Sequence, residues 1–184
     1  MDDSADSARF RAIFEATFGS VRRYVRHCGV TGGRADDIVA ETFLVAWRRL
    51  DDVPDDDPLP WLLAVARNLW LNQRRGDRRH LAMVRRLPLS TAEAPPREPG
   101  DSAAVREALA ALPTTDQEVL RLVAWDGLTP DQAGTVLGCS PGAFRVRLHR
   151  ARRRLADELA KRSGGSGQIQ DETDPVREVT DDRA

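Results

Sequence analysis

The sequence predicts an all-α protein of two small helical domains, an N-terminal bundle and a C-terminal helix-turn-helix domain, joined by a proline-rich linker. Three observations carry this. Apolar residues recur at three- and four-residue spacing along most of the chain, and no stretch alternates as a strand would. Residues 87–101, LPLSTAEAPPREPGD, hold four prolines and no periodicity, the composition of a semi-rigid extended spacer. Between Leu128 and Leu155 a helix start signal, a hydroxyl residue followed by proline, occurs twice around a glycine break. The expected divisions are 8–86, the linker 87–101, 102–162, and a disordered tail 163–184 without a core pattern.

The first helix spans Ala8 to Val30, with Phe10, Ile13, Phe14, Phe18, Val21 and Val25 as its inward stripe and Thr31-Gly32-Gly33 as its stop. His27 near its end reads as a helix-end cation or a packing residue. The second helix, Arg34 to Leu50, places Val39, Phe43, Ala46, Trp47 and Leu50 on the core side. Asp37, Ala40, Glu41, Leu44 and Arg48 fall on the other side. A leucine ringed by charges suits a protein-binding face, and a merely solvated face fits the same pattern.

Asp51 to Pro60, DDVPDDDPLP, is an acidic loop punctuated by proline. Helix resumes at Trp61, with Leu62, Val65, Ala66, Leu69 and Trp70 inward and Arg67, Asn68, Asn72, Arg74 and Arg75 pointing elsewhere. A basic, amide-bearing helix with tryptophans can hold a nucleic-acid strand by phosphate contacts and stacking. Trp61 and Trp70 read as core anchors ahead of stacking platforms.

In the second domain, Ser102 to Leu112 is a short amphipathic helix, and Pro113-Thr114-Thr115-Asp116 opens another that runs to Trp125. Thr129 and Pro130 start the next, with Ala133, Val136 and Leu137 apolar; Gly138-Cys139-Ser140 breaks it, and Ser140 caps a last helix from Pro141. On a wheel of that helix, Phe144, Leu148, Ala151 and Leu155 face the protein. Val146, His149, Arg150 and Arg153 fall opposite, with Arg145 and Arg152 on the flank. Arginines on the outer face of such a helix suit the DNA major groove, where guanidinium pairs with guanine. From Arg145 to Arg162 there are eight Lys or Arg against two acids, net +6.

The overall formal charge of −1 hides this segregation. Asp36 to Pro60 carries eight acids against two arginines, and Arg67 to Arg86 seven arginines against Asp77, so separate surfaces for separate partners are expected. Cys28 and Cys139 are far apart, and no CxxC, His/Cys cluster, phosphate loop or nucleophile–base pair is present, so no metal, no cofactor and no enzymatic activity is expected. The N-terminal residues are acidic and no apolar run approaches about 18 residues, so a cytoplasmic protein without membrane insertion is expected.

DDIVAETFLVAWRRL, then PWLLAVARNLWLNQRR, then ALPTTDQEVLRLVAWDGLTPDQAGTVLGCSPGAFRVRLHRARRRL together resemble an extracytoplasmic-function sigma factor of bacterial RNA polymerase, over roughly residues 8 to 160. The resemblance implies that the protein, a monomer when free, binds core RNA polymerase at its clamp and flap, with Asp37, Glu41, Leu44 and Arg48 on the clamp. It implies that the Asp51–Pro60 loop, Trp61, Asn68, Asn72, Arg74 and Arg75 capture and melt the minus-ten element of promoter DNA. It implies that Arg145, Val146, His149, Arg150 and Arg153 read the minus-thirty-five element as duplex, and that an anti-sigma factor holds the protein inactive. Two positions depart from the family pattern. Val146 stands where serine is frequent, and Ala40 where glutamine is. A stand-alone helix-turn-helix regulator is the alternative; it would need a two-fold interface, and no heptad run or extra apolar helix supplies one.

Overall fold

Among the described residues of the computed structural model the periodic apolar residues become seven α-helices: α1 (Asp3–His27), α2 (Gly33–Arg48), α3 (Pro58–Met83), α4 (Ala103–Ala111), α5 (Thr114–Ala124), α6 (Pro130–Leu137) and α7 (Pro141–Gly164). The structure describes residues 3–83 and 103–164, with side chains for 4–76 and 103–162, and among these residues there is no strand. The expected linker at 87–101, the tail beyond Gly164, Arg85 and Arg86 lie outside the described residues, as do the side chains of Arg78 and Arg79.

α1, α2 and α3 pack against one another as a three-helix bundle around Val21, Val25, Ile38, Leu62 and Leu63. α7 is the hub of the second half, resting on α4, α5 and α6 around Phe144, Leu122, Ala133 and Ala151. α3 also packs on α6, and the buried apolar residues of the two halves form one contiguous cluster.

The inward stripes are rotated from where an apolar count places them. In α1 the buried line is Ile13, Thr17, Val21, Tyr24 and Val25, while Phe14 and Phe18, expected inside, are each 37 % exposed. In α2 the line is Ala35, Ile38, Val39, Thr42, Phe43 and Ala46, and Trp47, also expected in the core, is 40 % exposed. In each helix the face that packs against the other two carries a buried threonine. Thr17 Oγ1 donates to the Ile13 carbonyl at 2.6 Å and Thr42 Oγ1 to the Ile38 carbonyl at 2.7 Å. Each hydroxyl is satisfied within its own helix and packs as a small apolar group. Trp47 lies edge-on to Phe10, with ring centroids 5.1 Å apart. Leu63, absent from the expected stripe of α3, is buried.

Helix ends moved by a few residues. α1 starts earlier than Ala8 and stops at His27, where Gly29 takes a positive φ of 78°. The end of the second predicted helix turns into a 3-10 segment, Leu50–Asp52. α3 begins at Pro58, ahead of Trp61, because both Pro58 and Pro60 sit in its first turn, where no amide hydrogen is required.

Candidate nucleic-acid interface

The helix-turn-helix is fixed by its ends. Thr129 Oγ1 accepts from the Gln132 amide at 3.3 Å while Gln132 Oε1 accepts from the Thr129 amide at 2.9 Å, a complete capping box with Pro130 in the first turn. α6 stops at Gly138, in the left-handed region at φ 63°, and the Cys139 amide donates back to the Gly134 carbonyl at 2.9 Å. Gly134 was not singled out from the sequence, yet the turn depends on it. A Cβ there would lie 2.7 Å from the Cys139 carbonyl oxygen. Ser140 Oγ then accepts from the Ala143 amide at 3.2 Å and starts α7.

α7 divides as its wheel predicts. Phe144, Leu148 and Ala151 are buried, and Leu155 is half-buried against the same core. Arg145, Val146, His149, Arg150 and Arg153 are all exposed along the outer side, Val146 at 52 %. The basic charge is not all presented outward. Arg154 donates to the buried Asp116 of α5, Arg162 reaches Glu107 of α4 at 2.7 Å, and Lys161 bonds Glu158 at 2.6 Å. Those three tie the helix to its own domain or to itself. The outer arginines remain for a ligand, with Arg145 at 3.8 Å from the exposed Asp131.

The second expected surface, on α3 and the loop before it, is more constrained. Asn68, Asn72 and Arg75 are exposed, and Asn72 Oδ1 accepts from Arg75 Nη1 at 3.3 Å. Trp61 and Trp70 are half-buried against the core, with Arg49 over the Trp61 ring at 5.9 Å and Arg74 over the Trp70 ring at 5.1 Å. Arg67 does not project outward as expected. Its guanidinium meets Glu118 of α5 through Nε–Oε1 at 2.6 Å and Nη2–Oε2 at 3.2 Å. Burial works against its charge, and the Glu118 hydrogen bond and charge outweigh that and raise its pKa.

Two further contacts join the halves. Gln132 Nε2, from the capping box of α6, donates to Asp57 of the α3 loop at 2.8 Å. Asp126, whose side chain is only 3 % exposed, lies 3.5 Å from His27 Nδ1 and 3.8 Å from Arg23. His27 is thus a packing residue of this seam, its ring 6.0 Å from Trp125.

The third surface lies on α2. Asp37, Glu41, Leu44 and Arg48 are all exposed on one side, Leu44 at 45 %, and Ala40 sits among them. Among the described residues no group of acids, histidines and cysteines is placed to hold a metal ion, and no helix is long and apolar enough to cross a membrane. Cys28 and Cys139 are both free. The Cys28 thiol sits beside the Tyr24 hydroxyl, and burial pushes it up to about 12.

The family model for Sigma-70 region 2 matches residues 13–80, and that for Sigma-70, region 4 matches 102–155. Relatives include the ECF RNA polymerase sigma factor EcfG of Rhodopseudomonas palustris, 33 % identical over 77 % of this chain and 80 % of that one. Another is the ECF RNA polymerase sigma factor SigL of Mycobacterium tuberculosis, 30 % identical over 83 % and 89 %. Among solved structures, CnrH bound to the cytosolic domain of CnrY superposes with a TM-score of 0.58 at 28 % identity, over 83 % of this chain and 88 % of that one. The sigma factor RpoE of Bartonella quintana, solved with the anti-sigma factor NepR, shares the fold with a TM-score of 0.67 at 23 % identity, over 82 % and 96 %. The chain belongs to the extracytoplasmic-function sigma factors of bacterial RNA polymerase, and is a transcription-initiation subunit, not an enzyme.

Proposed function

We propose that the three surfaces divide the work of promoter recognition in this chain. Residues 8–86 form the domain that engages polymerase and the downstream element, 102–162 the domain that reads the upstream element, and 87–101 the linker between them. Asp37, Glu41, Leu44 and Arg48 dock on the polymerase clamp. The Asp51–Pro60 loop with Trp61, Asn68, Asn72, Arg74 and Arg75 holds one strand of the melted minus-ten element, the opening costing roughly a few kcal/mol per flipped base. Arg145, Val146, His149, Arg150 and Arg153 read the minus-thirty-five duplex in the major groove.

The observation that carries this is the outer side of α7. Five side chains stand exposed in one row while Phe144, Leu148 and Ala151 are sealed in the core behind them. A recognition helix needs that combination of a rigid back and a free polar front.

Regulation by an anti-sigma factor fits the seam between the halves, where a partner helix would compete with the Arg67–Glu118 and Gln132–Asp57 contacts. The RpoE structure pairs that relative with such a factor. The site of action is the cytoplasm, where the polymerase is, and the free protein is a monomer.

Run-off transcription tests the reading. Purified core polymerase from the source bacterium is combined with the full chain on a genomic fragment library, and discrete new start sites sharing two spaced motifs are expected. Tight DNA binding by the protein alone, with no new starts, would overturn it.

A further inference from the structure

The loop proposed to capture the minus-ten strand carries five acids, at 51, 52, 55, 56 and 57, and three prolines, at 54, 58 and 60. Left to itself, such a segment repels its own charges and a phosphate backbone alike. Besides Gln132 on Asp57, a second residue distant in sequence holds it. Arg9, in the first turns of α1, meets the segment just after α2 with its guanidinium: Nη1 donates to the Leu50 carbonyl at 3.0 Å and Nη2 to the Val53 carbonyl at 2.7 Å. Nη2 also lies 2.7 Å from Asp55 Oδ1. The two carbonyls belong to the residues that anchor the loop, since Leu50 and Val53 are buried at 7 % and 2 % exposure. The Asp55 side chain is 86 % exposed, so the ion pair by itself contributes little.

The planar fork of arginine is what these acceptors need. Nη1 and Nη2 point their hydrogens in directions set by the delocalised guanidinium plane, and one fork spans two carbonyls and a carboxylate together. A lysine ammonium supplies charge but no such span. The far side of the same loop is braced separately. Arg49 binds Asp52 through Nε at 2.8 Å and Nη2 at 2.7 Å while lying over Trp61.

We infer that Arg9 is a positioning residue for strand capture, setting the backbone of residues 50–55 so that the loop presents one fixed pocket rim to a flipped base. This rests on the assignment of the loop and α3 to the minus-ten strand. The substitution therefore acts on which base is preferred, through the loop, and not on polymerase binding.

The test uses the full chain assembled with core polymerase on a double-stranded promoter taken from the run-off library, with each minus-ten position randomised. Open-complex formation is read by permanganate reactivity, and core affinity and thermal midpoint are measured alongside. Arg9→Ala is expected to flatten base preference at one position about tenfold, with core affinity changed by less than about twofold. Arg9→Lys, which keeps the charge and the fold, is expected to stay flattened. Full recovery by lysine would overturn the inference, because charge alone would then suffice. A loss of core affinity in step with the loss of preference would overturn it as well, as a general folding defect. Trp61→Ala and Asn68→Ala separate the two levels. If they flatten base preference and Arg9→Ala does not, only the role of Arg9 fails; if neither they nor Arg9→Ala alter it, strand capture by this loop fails, and the inference with it.

Discussion

Arg67 and Glu118, 51 residues apart in sequence, meet as a two-point ion pair across the seam between α3 and α5, with side chains 22 % and 11 % exposed. The pair couples the domain that would melt promoter DNA to the domain that would read it as duplex. A bidentate, largely desolvated pair of this kind leaves a costly orphan when one partner is removed.

Glu118→Ala is therefore expected to destabilise the free protein by about 1–3 kcal/mol, and Arg67→Ala by a similar amount. A double-mutant cycle on thermal or urea midpoints reads the coupling directly. Additive losses would mean that the two residues do not act as a pair in solution.

Arg145→Ala and Arg150→Ala are each expected to cost about 1–3 kcal/mol in binding the upstream element and to relax specificity at one base pair. Competition binding of holoenzyme to single-base variants measures this. An equal loss on every sequence would make the two arginines phosphate contacts only. Val146, exposed between them, offers a methyl surface and no hydrogen-bond donor. Val146→Ser is expected to shift preference away from thymine at the position it touches.

Gly134→Ala forces a Cβ to within 2.7 Å of a backbone oxygen in the helix-turn-helix corner. Backbone cannot swing aside as a side-chain tip can, so a loss of about 1–3 kcal/mol is expected, with weaker upstream binding. Gly142→Ala, in open space, serves as the control and is expected to be near neutral.

The Cys28 thiol, pushed up to about 12 by burial from an ordinary value of 9.0, stays protonated in the folded chain over a range where the unfolded chain ionises. Its pKa is raised on folding, so its contribution is complete below about pH 9 and is lost as pH climbs toward 12. Unfolding free energy of the wild type should fall more steeply than that of Cys28→Ala between about pH 9 and 10.5, by about 2 kcal/mol at the upper end, as read from thermal or urea unfolding. The native thiol should also react with iodoacetamide far more slowly than in urea.

Leu44→Asp, on the outer side of α2, is expected to lower core-polymerase affinity at least about tenfold while leaving the thermal midpoint within a degree or two, because the side chain is already in water. A matching fall in stability would place Leu44 in the fold and remove it from the docking face.

Local chemistry was written plainly in the sequence. The two start signals at Thr129-Pro130 and Ser140-Pro141, the apolar back of α7 and its arginine front needed only neighbours three and four residues away, and each stands where the wheel placed it. The exposed stripe of Asp37, Glu41, Leu44 and Arg48 was legible for the same reason. Tertiary structure decided what depends on residues distant in sequence. Packing among α1, α2 and α3 chose faces that include Thr17 and Thr42, tolerated because each hydroxyl is satisfied by its own helix, and left Trp47 half in solvent. Arg67 was drawn to Glu118, and Arg9 to the carbonyls of Leu50 and Val53. A long charged side chain carries no mark of its partner. Periodicity fixes the side of the helix from which it leaves, and only the packing of the other helices fixes where it ends.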